Sequence, residues 1–270
     1  MIIEETYHLL QTKYSNHIED ITIDNVQIGL FLTAVKLSNG SCGVASSDLN
    51  STINCCHKQK RDFGVFTPGK IRGQKVVDLF NHPENSKIME SVKMAALNAV
   101  SADIISKSKH VVVEDKDPID LLDLSGQKTI CIVGAFQSYI KKIAQTQHKL
   151  YVLELNEEAL GDDQKQYFVP TADASSILPL SDIVIITGVT LLNKTLDDLL
   201  CHIPADKQVV VVGPTAGLIP DVLFKHNVNI IGSTKITHPE SMFKVVSEGG
   251  VGFHLFQYCA KKICILNENK

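Results

Sequence analysis

Five short runs of β-branched residues recur at intervals a helix can fill: KTICIVG (128–134), KLYVLEL (149–155), DIVIITG (182–188), QVVVVG (208–213) and VNIIGS (228–233). They are apolar along their whole length instead of alternating, which is the pattern of strands covered on both faces. Helical stretches fall between and after them, at 137–146, 172–179, 194–202, 218–226 and 239–248. Strand, helix and strand in this rhythm predict right-handed crossovers and an open parallel α/β sheet. Few other folds accommodate that order.

The first 110 residues lack the rhythm. Residues 2–15 predict a helix, and VQIGLFLTAVKL and SCGVASSD flank Asn39-Gly40, a hairpin signal because both residues tolerate positive φ. Residues 86–106 predict a long helix whose middle is small-sided at Ala95, Ala96, Ala99 and Ala102. Small side chains let another element approach the helix axis. The expectation is an α+β domain over 1–113, a linker over the acidic stretch 114–127, and an α/β domain over 128–270; a 270-residue chain suits two such units. HPEN (82–85) and HPES (238–241) each place Pro ahead of Glu, as helix starts do.

Composition narrows the partners. A formal charge of −4 argues against a nucleic-acid binder. No run approaches the ~18 apolar residues of a membrane span, and MIIEETYHLL has glutamates where a signal peptide has basic residues. Seven cysteines, with Cys131 and Cys264 in apolar runs, fit reduced buried thiols and a cytoplasmic protein. Oligomeric state stays open, a homo-oligomer included.

In an open parallel sheet ligands bind beyond the carboxyl ends of the strands. Those ends carry Gly134, Glu154, Thr187-Gly188, GPTAG (213–217) and GSTKITHPE (232–240). A dinucleotide fingerprint would need two further glycines after Gly134, where this chain has Phe136 and Tyr139; Glu154, 20 residues on, does stand where a ribose-binding carboxylate would be. A nucleoside cofactor such as NAD or S-adenosylmethionine is therefore the alternative reading. GPTAG lacks P-loop residues, although its amides suit an anion. Thr187, Gly188, Thr190 and Asn193 crowd behind the third strand, while Thr195 with Asp198 reads as a capping box. Cys55-Cys56-His57 is conspicuous, but only Cys55 and His57 would share a strand face, and no C-x-x-C or H-E-x-x-H spacing occurs. Lys58, Lys60, Arg61, Lys70, Arg72 and Lys75 read as a solvated face, with Lys70 or Arg72 as the alternative anion ligand.

AALNAV, YVLELN, IITGVTLLNKTL, GPTAG and VSEGG, in this order, resemble a bacterial and archaeal family described as putative heavy-metal chelation proteins. The resemblance implies an enolase N-terminal-like domain followed by a Rossmann-like domain, with a site in the cleft between them. It implies that Asn98 faces this cleft from the helix, and that Glu154, Thr187, Thr190, Asn193 and Thr215 face it from the sheet. Where the family tends to have proline, this chain has Gly217, which implies a more mobile loop.

The expected function is binding, with or without processing, of a small polar ligand in the cleft, with a metal ion or metal chelate as the candidate the family implies. Hydroxyls, amides and one carboxylate suit a hard cation or an already chelated metal. Gly188 and Gly213 would give close backbone approach, Thr187, Thr190, Asn193 and Thr215 hydrogen bonds, and Gly134 and Pro214 belong to the same binding set. Asn98 would close the site, and Glu154 would be ligand or general base. A non-catalytic accessory protein is the third reading.

Overall fold

The computed structural model describes residues 1–47, 64–83 and 86–268. The first part runs α1 (Ile2–Lys13), β1 (Ile23–Ile28), β2 (Leu32–Leu37), β3 (Cys42–Ser46), α2 (Val76–Asn81) and α3 (Lys87–Lys107). The three strands form an antiparallel sheet in the order β1-β2-β3. Asn39-Gly40 makes the expected turn, with Gly40 at φ +85° and Asn39 Oδ1 accepting from Ser41 N. The run 26–37 is not one strand. It folds into the β1–β2 hairpin, because Gly29 N bonds back to Leu32 O at 2.9 Å and leaves Leu30 and Phe31 exposed at the tip.

The second part continues with β4 (Val111–Glu114), β5 (Thr129–Val133), α4 (Gln137–Ala144), β6 (Lys149–Glu154), β7 (Phe168–Pro170), α5 (Ala174–Ile177), β8 (Ile183–Thr187), α6 (Val189–Leu192) and α7 (Leu196–Cys201). It closes with β9 (Gln208–Val212), α8 (Pro220–Lys225), β10 (Ile230–Ile236), α9 (Pro239–Ser247), α10 (Gly252–Tyr258) and β11 (Ala260–Leu266). All eight strands join one sheet, ordered β4-β11-β10-β9-β8-β5-β6-β7. From β10 to β7 the neighbours are parallel, and the order in which strands are added across the sheet reverses between β5 and β8. That is the strand order of doubly wound dinucleotide folds. Two antiparallel strands, β11 and β4, extend the β10 edge, so the sheet is mixed where an all-parallel one was expected. Residues 232–236, read from the sequence as a loop, belong to β10 because β11 supplies a ladder for them.

The two parts share one core. Ile2 and Leu10 of α1, Val35 of β2 and Leu97 of α3 pack in a single cluster with Ile186, Val211 and Leu223. The small sheet has α3 on one face, while Met242, Val246 and Leu255 of α9 and α10 cover Leu32, Ala34 and Val44 on the other. Helix α3 is therefore apolar nearly all round, as a helix enclosed on several sides must be. It starts at Lys87 with Ser86 as its cap, Oγ accepting from Met89 N; Pro83 lies ahead of the helix instead of opening it. Pro239 does open α9. Among the described residues no helix is long and apolar enough to cross a membrane, and Cys42, Cys131, Cys201, Cys259 and Cys264 are free thiols.

Candidate functional site

The small face of α3 admits β3. A Cβ on Gly43 would lie 2.3 Å from both Ala95 O and Ala99 N, so strand and helix backbones nearly touch. This brings the Val44 carbonyl within 2.7 Å of Asn98 Nδ2. The same amide nitrogen reaches the turn after β9, donating toward Pro214 O at 3.0 Å and Thr215 O at 3.3 Å. Asn98 is 4% exposed, and its Oδ1 is buried without a hydrogen-bond partner. Thr215 completes the seam, its Oγ1 accepting from Ser46 N at 2.9 Å and donating to Ser46 Oγ at 3.0 Å. Ile219 N donates to the buried Ser101 Oγ.

Behind this seam the strand-end loops lean on one another. A Cβ on Gly188 would stand 2.8 Å from Ala216 N, and one on Gly134 would stand 3.1 Å from Thr187 Cβ. Gly213 N bonds to Gly232 O, holding the turn to β10. The glycines thus permit loop-on-loop packing. Thr190 Oγ1 donates to Thr187 O at 2.6 Å, and Thr187 Oγ1 accepts from Val189 N. Asn193 Oδ1 accepts from Thr195 N and from the Thr195 hydroxyl. The capping box read from Thr195 and Asp198 does not form: Thr195 has helical backbone angles and makes no side-chain cap, its hydroxyl being engaged by Asn193. Glu154 Oε1 accepts from Leu155 N and Asn156 N, folding its carboxylate over its own loop.

A cavity of about 520 Å³ opens beside the seam, walled by the β2–β3 turn, α3, β4, β10 and the 214–217 turn. Of the site residues named from sequence, Asn98 and Pro214 line it, whereas Gly134, Glu154, Thr187, Gly188, Thr190, Asn193, Gly213 and Thr215 do not. Strand alternation turns Ser233 and Lys235 of β10 toward α3, while Gly232 faces Pro118 on the opposite side of the sheet. Ile263 and Ile265 supply an apolar wall. At the rim Lys235 Nζ pairs with Glu114 Oε1 at 2.5 Å, which holds the Glu114 carboxyl below the usual range. Asp103 pairs with Lys107. Ser233, Glu114 and Lys235 are the site residues that sequence reasoning missed. For Ser233 and Lys235 the signal was the polar GSTK segment, read as a strand-end loop until β11 is seen to pair with it, whereas Glu114 was read as linker and becomes the end of β4 through its pairing with β11.

These groups fit a bare soft metal ion poorly. Among the described residues no three His, Cys, Asp or Glu side chains gather to hold one. Burial pushes the Cys42 thiol in the cavity wall up to about 11, and Cys131 and Cys264 up to about 12. Thiolate, not thiol, is the metal ligand. Cys55, Cys56 and His57 lie outside the described residues, as do Lys58, Lys60 and Arg61. Lys70 and Arg72 are exposed on the turn that bonds to β1 through Gly73 and Gln74. The first strand-end loop is crowded too: the Phe136 and Tyr139 rings stack 5.5 Å apart, and the Tyr139 hydroxyl donates to Asp117.

Fold and site together define a two-part α/β protein, with a doubly wound sheet joined to a small antiparallel one and a ligand-sized cavity at the seam. The chain belongs to a family described as "Putative heavy-metal chelation", whose model matches residues 117–265. A second model with the same description matches residues 12–101. An uncharacterized protein of Methanocaldococcus jannaschii is 28% identical over 242 residues, 87% of each chain. Crystal structures of two family proteins of unknown function share the fold. That from Pyrococcus horikoshii has a TM-score of 0.77 at 21% identity, covering 98% of this chain and 100% of its own. That from Desulfitobacterium hafniense has a TM-score of 0.74 at 19% identity, with the same coverage.

Proposed function

We propose that the protein binds a small polar ligand in the cavity between its two parts, and that a metal enters only inside a chelate. One observation carries the reading: both parts wall a single cavity, and Asn98 ties its inner end to β3 and to the 214–217 turn at once. A volume of about 520 Å³ lies within the usual range of small-molecule sites, roughly 300–1,000 Å³. The apolar wall with a few convergent polar groups is also typical of such sites. A chelate presents organic surface and coordinated donors to such a wall, whereas a naked soft ion asks for thiolate or imidazole.

Ala102 lines the cavity from α3, and Ala102→Trp would fill it. The test is a thermal-shift titration with zinc, nickel and cobalt ions alone, and with the same ions as histidine complexes. The complexes should stabilise the wild type and not the Trp variant. Stabilisation by bare ions alone, equal in both proteins, would sink the proposal. Elemental analysis and native mass spectrometry of protein purified without an affinity tag then show what co-purifies.

A further inference from the structure

We infer that the group recognised at the inner end of the cavity is a hydrogen-bond donor (an ammonium, an amide N–H or a hydroxyl) taken by Asn98 Oδ1, and that Gly217 is the residue that admits it. The inference rests on the ligand-binding reading above.

The orientation of the Asn98 amide is not free. Nδ2 faces the carbonyls of Val44, Pro214 and Thr215, and a carbonyl can only accept. Turning the amide over would set an acceptor against three acceptors. Oδ1 is therefore held away from those carbonyls, and it is buried with no donor. An acceptor left so carries its desolvation cost unrecovered. A ligand that donates recovers this cost, whereas a carboxylate or phosphate would oppose oxygen to oxygen. The cavity's carboxylates Asp103 and Glu114 are each paired with a lysine, Lys107 and Lys235, so the inference rests on Asn98 Oδ1, the acceptor left without a donor.

Gly217 stands against this amide. A Cβ there would lie 3.2 Å from Asn98 Cγ and 2.9 Å from Ser233 Oγ. A side chain at 217 would press on both the amide and the Ser233 hydroxyl, so only glycine leaves these two groups placed as they are. Ser233, 5% exposed, adds a hydroxyl that both donates and accepts. One amide oxygen and one hydroxyl are too few ligands for a bare cation. A chelated metal would instead offer a coordinated amine or water as the donor.

The full-length protein is titrated by NMR with three matched probes: cyclohexylmethylamine, cyclohexylmethanol and cyclohexanecarboxylate. The amine and the alcohol should bind at least about tenfold more tightly than the carboxylate, a difference of about 1.4 kcal/mol. Gly217→Ala should abolish that preference. Gly217→Ala combined with Ser233→Ala relieves the crowding at Ser233 Oγ while still filling the space, and should lose it too, with wild-type thermal unfolding as the control. Equal or tighter binding of the carboxylate overturns the donor inference alone. Amine preference undiminished in both Gly217 variants overturns the placement at Gly217. If none of the three probes binds in a way that Ala102→Trp blocks, the cavity reading itself falls.

Discussion

Gly43 of β3 and Ala99 of α3 are in backbone contact: a Cβ on Gly43 would lie 2.3 Å from Ala99 N and 2.9 Å from Ala99 Cα. This approach sets the distance between the small sheet and the central helix, and so places Val44 O where Asn98 Nδ2 can reach it. Gly43→Ala should force strand and helix apart and cost at least the roughly 1–3 kcal/mol typical of an overpacked core. Urea unfolding reads this directly, and a variant within about 0.5 kcal/mol of wild type would show that the seam has slack.

Thr215 is 1% exposed and its hydroxyl satisfies both the backbone and the side chain of Ser46. Thr215→Val keeps the shape but leaves Ser46 N without its acceptor. The expected loss is about 1–3 kcal/mol, measured by the same unfolding assay. Amide hydrogen exchange should rise at Ser46 before it rises at the β5–β8 ladder.

Thr234 Oγ1 is a contrasting case, because it is buried with no partner in the structure. Thr234→Val removes an unsatisfied polar atom from a strand that favours β-branched residues. Its melting temperature should equal or exceed that of the wild type. A clear fall would reveal a partner for that hydroxyl.

Glu5 on α1 accepts from Lys225 and His226 at the end of α8, at 2.8 and 2.9 Å. These hydrogen bonds lower its carboxyl to about 2 from an ordinary 4.5. A carboxyl depressed in the folded state contributes stability above the unfolded value, and this is lost as pH falls through the folded one. The gap in melting temperature between wild type and Glu5→Gln should be full above pH 4.5 and close progressively toward pH 2. Because Glu5 and His226 are about one-third exposed and Lys225 is 71% exposed, added salt should narrow the gap at neutral pH.

Much of the architecture was legible in the chain. Each of the five apolar runs became a strand, and α3 fills nearly all of the predicted 86–106 helix, because period and β-branching are local properties. The hairpin at Asn39-Gly40 was equally local. Strand β11 and the extension of β10 were not, since residues 232–236 are strand only by virtue of pairing with residues 260–266. Gly29 likewise breaks an apparently continuous run through its bond to Leu32. The hydroxyl-rich stretch after β8 looked like the wall of a cleft from its composition. In the fold Thr190 and Asn193 serve their own turn.

The sequence by itself determined the order of helices and strands, the small face of α3, and the glycine-rich turns at the strand ends, all consequences of side-chain size and backbone freedom at single positions. Only the tertiary structure decided which polar groups face one another across the seam. Asn98 and the Val44 carbonyl are 54 positions apart, and Asn98 and Thr215 are 117 apart; no local propensity couples residues at those separations. Their meeting follows from one dimension, the closeness of β3 to α3 that Gly43 permits, which turns the Asn98 amide nitrogen toward three carbonyls and leaves its oxygen without a donor.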